Sequence, residues 1–279
     1  MSQATIAAPV EVSGAGLHSG APATVRLEPA FGSGRTIRCS DGSFFPAHVR
    51  AVRDDARATR LGGGDGEGAD VSTVEHLLAT LSAFGIDHVG IRVEGGEVPA
   101  LDGSAAAFVE LLRGAGRVPT ETEQHGHRPI ELKETVEVRE GDRFVRAEPA
   151  SAFGLRYDID FEHPAVGRQS ITFERLTPEI FADEIAPART FGFLDELDAL
   201  RRAGLAGGAG LDNTLVFDEA GTVNEGPLRF PDECVRHKVI DLIGDLALLD
   251  APLQAFVTAN KAGHRLHHAL VREIDSRRR

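Results

Sequence analysis

The segment from Glu233 to Leu249 constrains this chain more than any other. Val235, Val239, Ile240, Leu242, Ile243, Leu246, Ala247 and Leu249 surround most of a helical projection, so a helix here must be buried on most sides. Through that apolar surface runs one polar line, His237, Asp241 and Asp245, each a turn from the last. A buried ionised carboxylate costs several kcal/mol unless it is paired or bound to a cation. Two carboxylates and an imidazole on one stripe therefore demand partners, and two readings stand open. Lys238 or Arg236 could neutralise the acids in an ordinary buried network. Alternatively, His237 and Asp241 could face one Zn²⁺, each at about 2.0–2.2 Å.

A chain of 279 residues exceeds one ordinary core and accommodates two domains. With 42% hydrophobic and 26% charged residues it is neither disordered nor fibrous. A formal charge of −13 argues against coating nucleic acid or an anionic membrane surface. The basic run Arg277–Arg279 reads as a solvated tail. Two cysteines, Cys39 and Cys234, give no disulfide framework and suggest a reducing compartment. The first twenty residues lack a basic stretch followed by an apolar one, so no signal peptide is expected. No run approaches the ~18 apolar residues of a membrane span. The expectation is a cytoplasmic protein without stable membrane insertion. No long exposed apolar stripe demands a partner, which points to a monomer.

Each half reads as strands followed by helices. Ile6 to Leu27 alternates as a hairpin broken at Gly14-Ala15-Gly16, Asp41-Gly42 is a turn, and Gly62–Gly66 a mobile loop. A helix opens at Ser72-Thr73-Val74-Glu75 and stops at Gly85; Ser72 and Glu75 have the spacing of a capping box. A strand follows over 88–93, then a helix from Ser104 to Arg113, capped by Asp102 or Ser104 and stopped at Gly114. Val118 to His127 is polar and reads as a linker. Beyond it come strands around 130–138, 144–147 and 154–161, a helix near 178–182, the long helix, and a last helix over about 263–274. The fold class expected is α+β, two similar domains with a small mixed sheet and helices in each. The boundaries expected are 1–122, with an insert near 52–72, and 123–279, with an insert near 192–222.

Three further strings carry chemical groups. Glu75-His76 offers a third metal ligand and a base, and adjacent helical residues diverge by about 100°, so the pair would not chelate one ion together. The plainer alternatives are a capping role for Glu75 and a core position for His76. Lys261-Ala262-Gly263-His264 falls at a strand-to-helix turn with room for substrate; otherwise His264 is a surface residue in a basic stretch with Arg265, His267 and His268. Pro187–Phe193 sets a hydroxyl, Thr190, between a cation and two aromatics, or is a loop packed by its phenylalanines.

Gly14–Gly20 (GAGLHSG), 72–89 (STVEHLLATLSAFGIDHV), 97–105 (EVPALDGSA), 188–193 (ARTFGF), 235–249 (VRHKVIDLIGDLALL) and 260–264 (NKAGH) resemble the UDP-3-O-acyl-N-acetylglucosamine deacetylases, the zinc amidases of lipid A biosynthesis. The blocks appear in the family's order and cover nearly the whole chain. The resemblance implies that His76, His237 and Asp241 bind Zn²⁺ and leave a fourth position to water, the nucleophile. It implies Glu75 as general base, His264 as general acid or charge stabiliser with Asp245 orienting it, and Thr190 and Lys238 lining the reacting centre. Lys261 matches a residue near the substrate diphosphate. Phe191, Leu200, Ala206 and Val216 match an apolar passage for the acyl chain, and Leu17 a substrate contact. The two domains would pack helix against helix, each with an insert shaping the site. The N/O ligand set suits Fe²⁺ as well as Zn²⁺. Where the family commonly carries a Gly-Gly-Ser-Leu type string, this chain has Gly208-Ala209-Gly210-Leu211, and Ala56–Arg60 is more charged than usual. Three other readings compete: a hydrolase of another N-acyl substrate on this scaffold, a non-catalytic nucleotide-sugar binder, and a structural or nucleic-acid-binding α+β protein.

Overall fold

The alternating segments of the first half become strands with one buried face. In the computed structural model, which describes residues 3–54, 57–63, 68–120 and 128–278, these are β1 (Ala4–Ile6), β2 (Val10–Ala15), β3 (Pro22–Pro29), β4 (Arg35–Cys39) and β5 (Phe44–Pro46). Along β3, Val25 and Leu27 turn inward while Glu28 faces solvent. A three-stranded sheet follows, β6 (Val52–Asp54), β7 (Arg60–Gly62) and β8 (Asp70–Val71), then α1 (Glu75–Ala83), β9 (Val89–Glu94), α2 (Ala106–Ala115) and β10 (Arg117–Pro119). The main sheet has the order β2-β3-β9-β4-β5, antiparallel except where β4 runs parallel to β9.

The second half repeats that plan. Its elements are β11 (Ile130–Glu131), β12 (Val136–Glu140), β13 (Arg143–Pro149), β14 (Gly154–Asp160), β15 (Arg168–Phe173), α3 (Pro178–Ile180), β16 (Phe191–Phe193), α4 (Leu197–Arg202), β17 (Leu215–Asp218), β18 (Gly221–Thr222), α5 (Glu233–Leu246), β19 (Leu253–Asn260) and α6 (His264–Arg277). The sheet runs β12-β13-β19-β14-β15, again with one parallel pair along that path, β14 with β19; β11 pairs, also parallel, with the first two residues of β19. β16, β17 and β18 form a separate small sheet. The architecture is α+β, with two like-ordered sheets and helices α1 and α5 packed on one another between them. Leu77 and Leu81 of α1 join Val239 and Ile243 of α5 in one continuous apolar core. The two helices touch closely because α5 carries Gly244 there: a Cβ at that position would fall 2.1 Å from the carbonyl oxygen of Glu75. Among the described residues no helix is long and apolar enough to cross a membrane.

Several local expectations change. The stretch read as a linker begins as strand: Val118 pairs with Thr5, so β10 closes on β1. The remainder, 121–127, which includes the expected domain boundary, lies outside the described residues, as do 64–67 of the glycine loop, whose first residue, Gly62, is buried in β7. The expected strand over 130–138 is two strands. α2 runs past Gly114 and ends at Gly116, whose φ of 69° suits glycine. The helix near Pro178 is short and widens into a π-helical turn over Phe181–Ile185. α1 has no capping box: its N-cap is Val74 with no side-chain bond. Thr73 at φ 58° turns the chain left-handed just before the helix, and its hydroxyl donates to Glu97. Glu75 is thereby the first helical residue, its carboxylate accepting from the Thr59 N–H and not from an amide of its own helix.

Candidate active site

Each functional side chain sits where its backbone element delivers it. The first turn of α1 supplies Glu75 and His76, the middle of α5 supplies His237, Asp241 and Asp245, and the first turn of α6 supplies His264. All six are nearly or fully buried. The polar line of α5 therefore meets a second polar group at the α1–α5 contact and a third at the α5–α6 contact.

The ligand atoms of His76, His237 and Asp241 lie within 4.8 Å of one another. Asp241 Oδ1 stands 3.7 Å from His76 Nε2 and 3.5 Å from His237 Nε2, and the two imidazoles meet edge to face at 4.9 Å. His237 Nδ1 donates to the carbonyl of Ala188 at 3.2 Å, which leaves Nε2 bare toward the cluster. Lys238 Nζ donates to the other Asp241 oxygen at 2.8 Å. The lysine thus does pair with the acid, as the plainer reading of α5 had it, but at Oδ2 alone. Arg236 turns away to Asp232 and Glu184. Burial alone would raise the Asp241 carboxyl; Lys238 and His237 hold it well below its ordinary range. Burial pushes His237 down to about 3, so it is a neutral imidazole, the form that binds metal. Two imidazole nitrogens and one ionised oxygen, closely gathered, fit a tetrahedral divalent ion with a position to spare.

Beside this cluster, Glu75 Oε1 lies 3.9 Å from His264 Nε2. Burial raises the Glu75 pKa, with His264 and His76 partly offsetting it. His264 Nδ1 donates to Asp245 Oδ2 at 2.7 Å. Burial would lower the pKa of His264, but Asp245 above all, then Asp241 and Glu75, raise it to about 10. His264 is not a surface residue, nor are His267 and His268, both fully buried. They also converge on Asp245, His267 Nδ1 at 2.8 Å and His268 Nε2 at 3.0 Å. Tyr157 Oη lies 3.0 Å from His267 Nε2. These two histidines follow His264 at i+3 and i+4, a spacing that places them on its helical face; Tyr157 on a buried strand and Thr59 in the first-half insert gave no such signal.

The remaining expected residues separate into those at the cluster and those beyond it. Thr190, half-buried, lines a small cavity with Leu17, His76, Pro99 and Phe108. It is held there by backbone bonds to Gly103 and Leu215 and by its neighbour Arg189, whose guanidinium grips the buried Glu233 at 2.9 and 3.2 Å. Phe191 packs edge-on to His237 at 6.3 Å, with Lys238 Nζ 5.7 Å from its ring centre. Leu200 on α4, Ala206 and Val216 on β17 belong to the second-half insert. That insert docks on the Gly14–Gly20 segment of the first half: the N–H groups of Gly207 and Gly208 donate to the carbonyls of His18 and Leu17. Lys261 is bonded to Asp142 at 3.0 Å and Asp160 at 2.9 Å, so an incoming anion would compete with two carboxylates.

A family model described as LpxC, UDP-3-O-acyl N-acetylglycosamine deacetylase, matches residues 3–276. A protein of Anaeromyxobacter sp. (strain Fw109-5) called UDP-3-O-acyl-N-acetylglucosamine deacetylase is 44% identical over 98% of this chain and 88% of its own length. One of the same name from Thermosynechococcus vestitus is 46% identical over 99% and 95%, and one from Oleidesulfovibrio alaskensis 44% over 98% and 89%. Likeness of this degree, sustained from one end of the matched region to the other, makes the chain a member of the UDP-3-O-acyl-N-acetylglucosamine deacetylase family.

Proposed function

We propose that this protein hydrolyses the 2-acetamido group of UDP-3-O-acyl-N-acetylglucosamine, releasing acetate and leaving a free amine, the committed step of lipid A biosynthesis. The observation that carries the reading is the placement of Glu75 and His264, 3.9 Å apart, beside three gathered metal-ligand atoms. His76, His237 and Asp241 would hold Zn²⁺, or Fe²⁺, which the same donors suit. Such an ion generates a nucleophile from water near neutral pH and polarises the acyl oxygen.

The chain's own groups do the rest. Glu75, fixed at Oε2 by the Thr59 N–H at 3.2 Å, keeps Oε1 toward the centre to take the proton of the attacking water. His264 spends Nδ1–H on Asp245, so its Nε2–H points into the centre. There it stabilises negative charge developing on the acyl oxygen or protonates the departing amine. Thr190 borders the same space, and a well-aimed donor of this kind contributes about 2.7–4 kcal/mol. Phe191, Leu17, Leu200, Ala206 and Val216 would line the path of the acyl chain, and Lys261 would exchange its carboxylates for the diphosphate. The protein acts as a cytoplasmic monomer, its domains spanning 1–122 and 123–279.

Elemental analysis of wild type and His237→Ala, joined to an assay of acetate release from the UDP-sugar, tests this reading. One divalent ion per chain, lost in the variant together with turnover, is the expected result. A wild type purified without chelators that holds no metal would return the polar line of α5 to an ordinary buried network. Turnover of simple acetamido sugars in preference to the UDP-sugar would reassign the substrate.

A further inference from the structure

Thr59, just before β7, is fully buried, and every polar group it has is engaged at the centre. Its backbone N–H donates to Glu75 Oε2 at 3.2 Å, and its carbonyl accepts from the N–H of Val74 at 3.5 Å, next to the start of α1. Its hydroxyl donates to Asp245 Oδ1 at 2.5 Å, and lies 3.0 Å from His268 Nε2 and 3.4 Å from His264 Nδ1. One residue of the first half therefore binds the carboxylate beside the metal ligands through its main chain and the carboxylate behind His264 through its side chain.

The stoichiometry around Asp245 gives the hydroxyl its weight. Oδ2 accepts from His264 and His267, and Oδ1 from His268 and Thr59, so the buried carboxylate has no spare acceptor site. Three of these donors come from α6. Among the described residues, Thr59 supplies the hydrogen bond that ties Asp245 to the half that carries Glu75, in addition to the packing of Gly244 on the Glu75 backbone. Without it, the carboxylate and the imidazole it holds are set by α5 and α6, while Glu75 is set by α1.

We infer that Thr59 is a positioning residue that fixes the Asp245–His264 pair relative to Glu75 across the two halves of the chain. The inference rests on the roles proposed above for Glu75 and His264. A valine keeps the shape of threonine but sets a methyl where the hydroxyl now sits 2.5 Å from Asp245 Oδ1. Carbon and oxygen do not approach so closely without a bond, so the carboxylate must retreat and His264 must follow. Displacements approaching 1 Å at a reacting centre cost about 10²-fold in rate.

The test compares Thr59→Val, Thr59→Ser and Thr59→Ala, with Thr59→Ala, which adds no atoms, standing in should the valine protein fail to fold. Expected for valine is a kcat lowered roughly ten- to hundred-fold, a KM little changed, and full metal content. Serine, which keeps both donors, should restore most of kcat. In metal-free protein the imidazole ¹⁵N resonances of His264 should move with valine and hold with serine. A valine variant with wild-type kcat, a loss that only tracks the metal-loaded folded fraction, or a serine variant as impaired as valine would each overturn the inference. Glu75→Gln and His264→Gln run alongside. If both lose turnover while Thr59→Val does not, Thr59 alone is misassigned; if both keep it, the reading of the centre falls first.

Discussion

The two halves share a sheet order and a helix before and after the fifth strand of each main sheet, yet they spend those helices differently. In the first half, α1 brings its polar groups at the very start, Glu75 and His76, and α2 brings none to the centre. In the second, α5 carries its polar line through its middle, and α6 adds His264 with His267 and His268 behind it. The first half lends two adjacent side chains that diverge, His76 toward His237 and Asp241 and Glu75 toward His264. The second builds a scaffold of spaced partners that locks both in place. A duplicated frame thus gives an asymmetric centre, because charge is distributed by helix register and not by topology.

That comparison can be broken most directly at the ligands. If the centre truly joins the halves, His76→Ala and His237→Ala should each release the metal and lower turnover by more than about 10²-fold, beyond what loss of a supporting partner costs. Elemental analysis showing metal retained with either alanine would place the ion within one half.

A smaller effect is expected at Gly244, where added carbon meets the backbone of Glu75 at 2.1, 2.7 and 2.8 Å. Gly244→Ala should destabilise by about 1–3 kcal/mol, as overpacking does, and urea titration would show it.

The buried charge of the second half should appear in the pH dependence of stability. His264 has a folded pKa of about 10 against 6.5 unfolded. Its contribution is therefore complete below pH 6.5 and is lost as pH rises through 10. Metal-free protein should lose thermal stability between pH 7 and 9, and His264→Gln should flatten that slope. A metal-free Tm that rises across this range would contradict the assignment. The smallest effect belongs to the first half. Gly114, inside α2, has nothing within 4 Å of where a Cβ would stand, so Gly114→Ala should stabilise by about 0.5–1 kcal/mol in the same titration.

The sequence reader sees these two styles unequally. The line His237–Asp241–Asp245 is legible because helical spacing maps straight onto a face, and burial makes carboxylates conspicuous. Glu75 reads as a cap from spacing alone, since the left-handed turn at Thr73 that sends its carboxylate inward is a property of the folded chain. His76, His237 and Asp241 do gather, but the shared sheet order of the halves has no counterpart in residue identities, because strand pairing is carried by the main chain. Tyr157 and Thr59 look like any strand aromatic and any insert hydroxyl until α6 packs beside the one and Asp245 meets the other.

The pairing of β1 with β10 also bears on how the chain is made. With Thr5 seated beside Val118, the opening strand cannot be placed until nearly all of the first half has been synthesised. Once it is, that half is fastened at both ends and can close as a unit while the rest is still in the ribosome. Its α1 would then present Glu75 and His76 on an uncovered face during translation, shielded only when α5 emerges. Closing the first half early would thus leave these two polar side chains in water until the second half covers them, a sequence that domain-by-domain folding during synthesis allows.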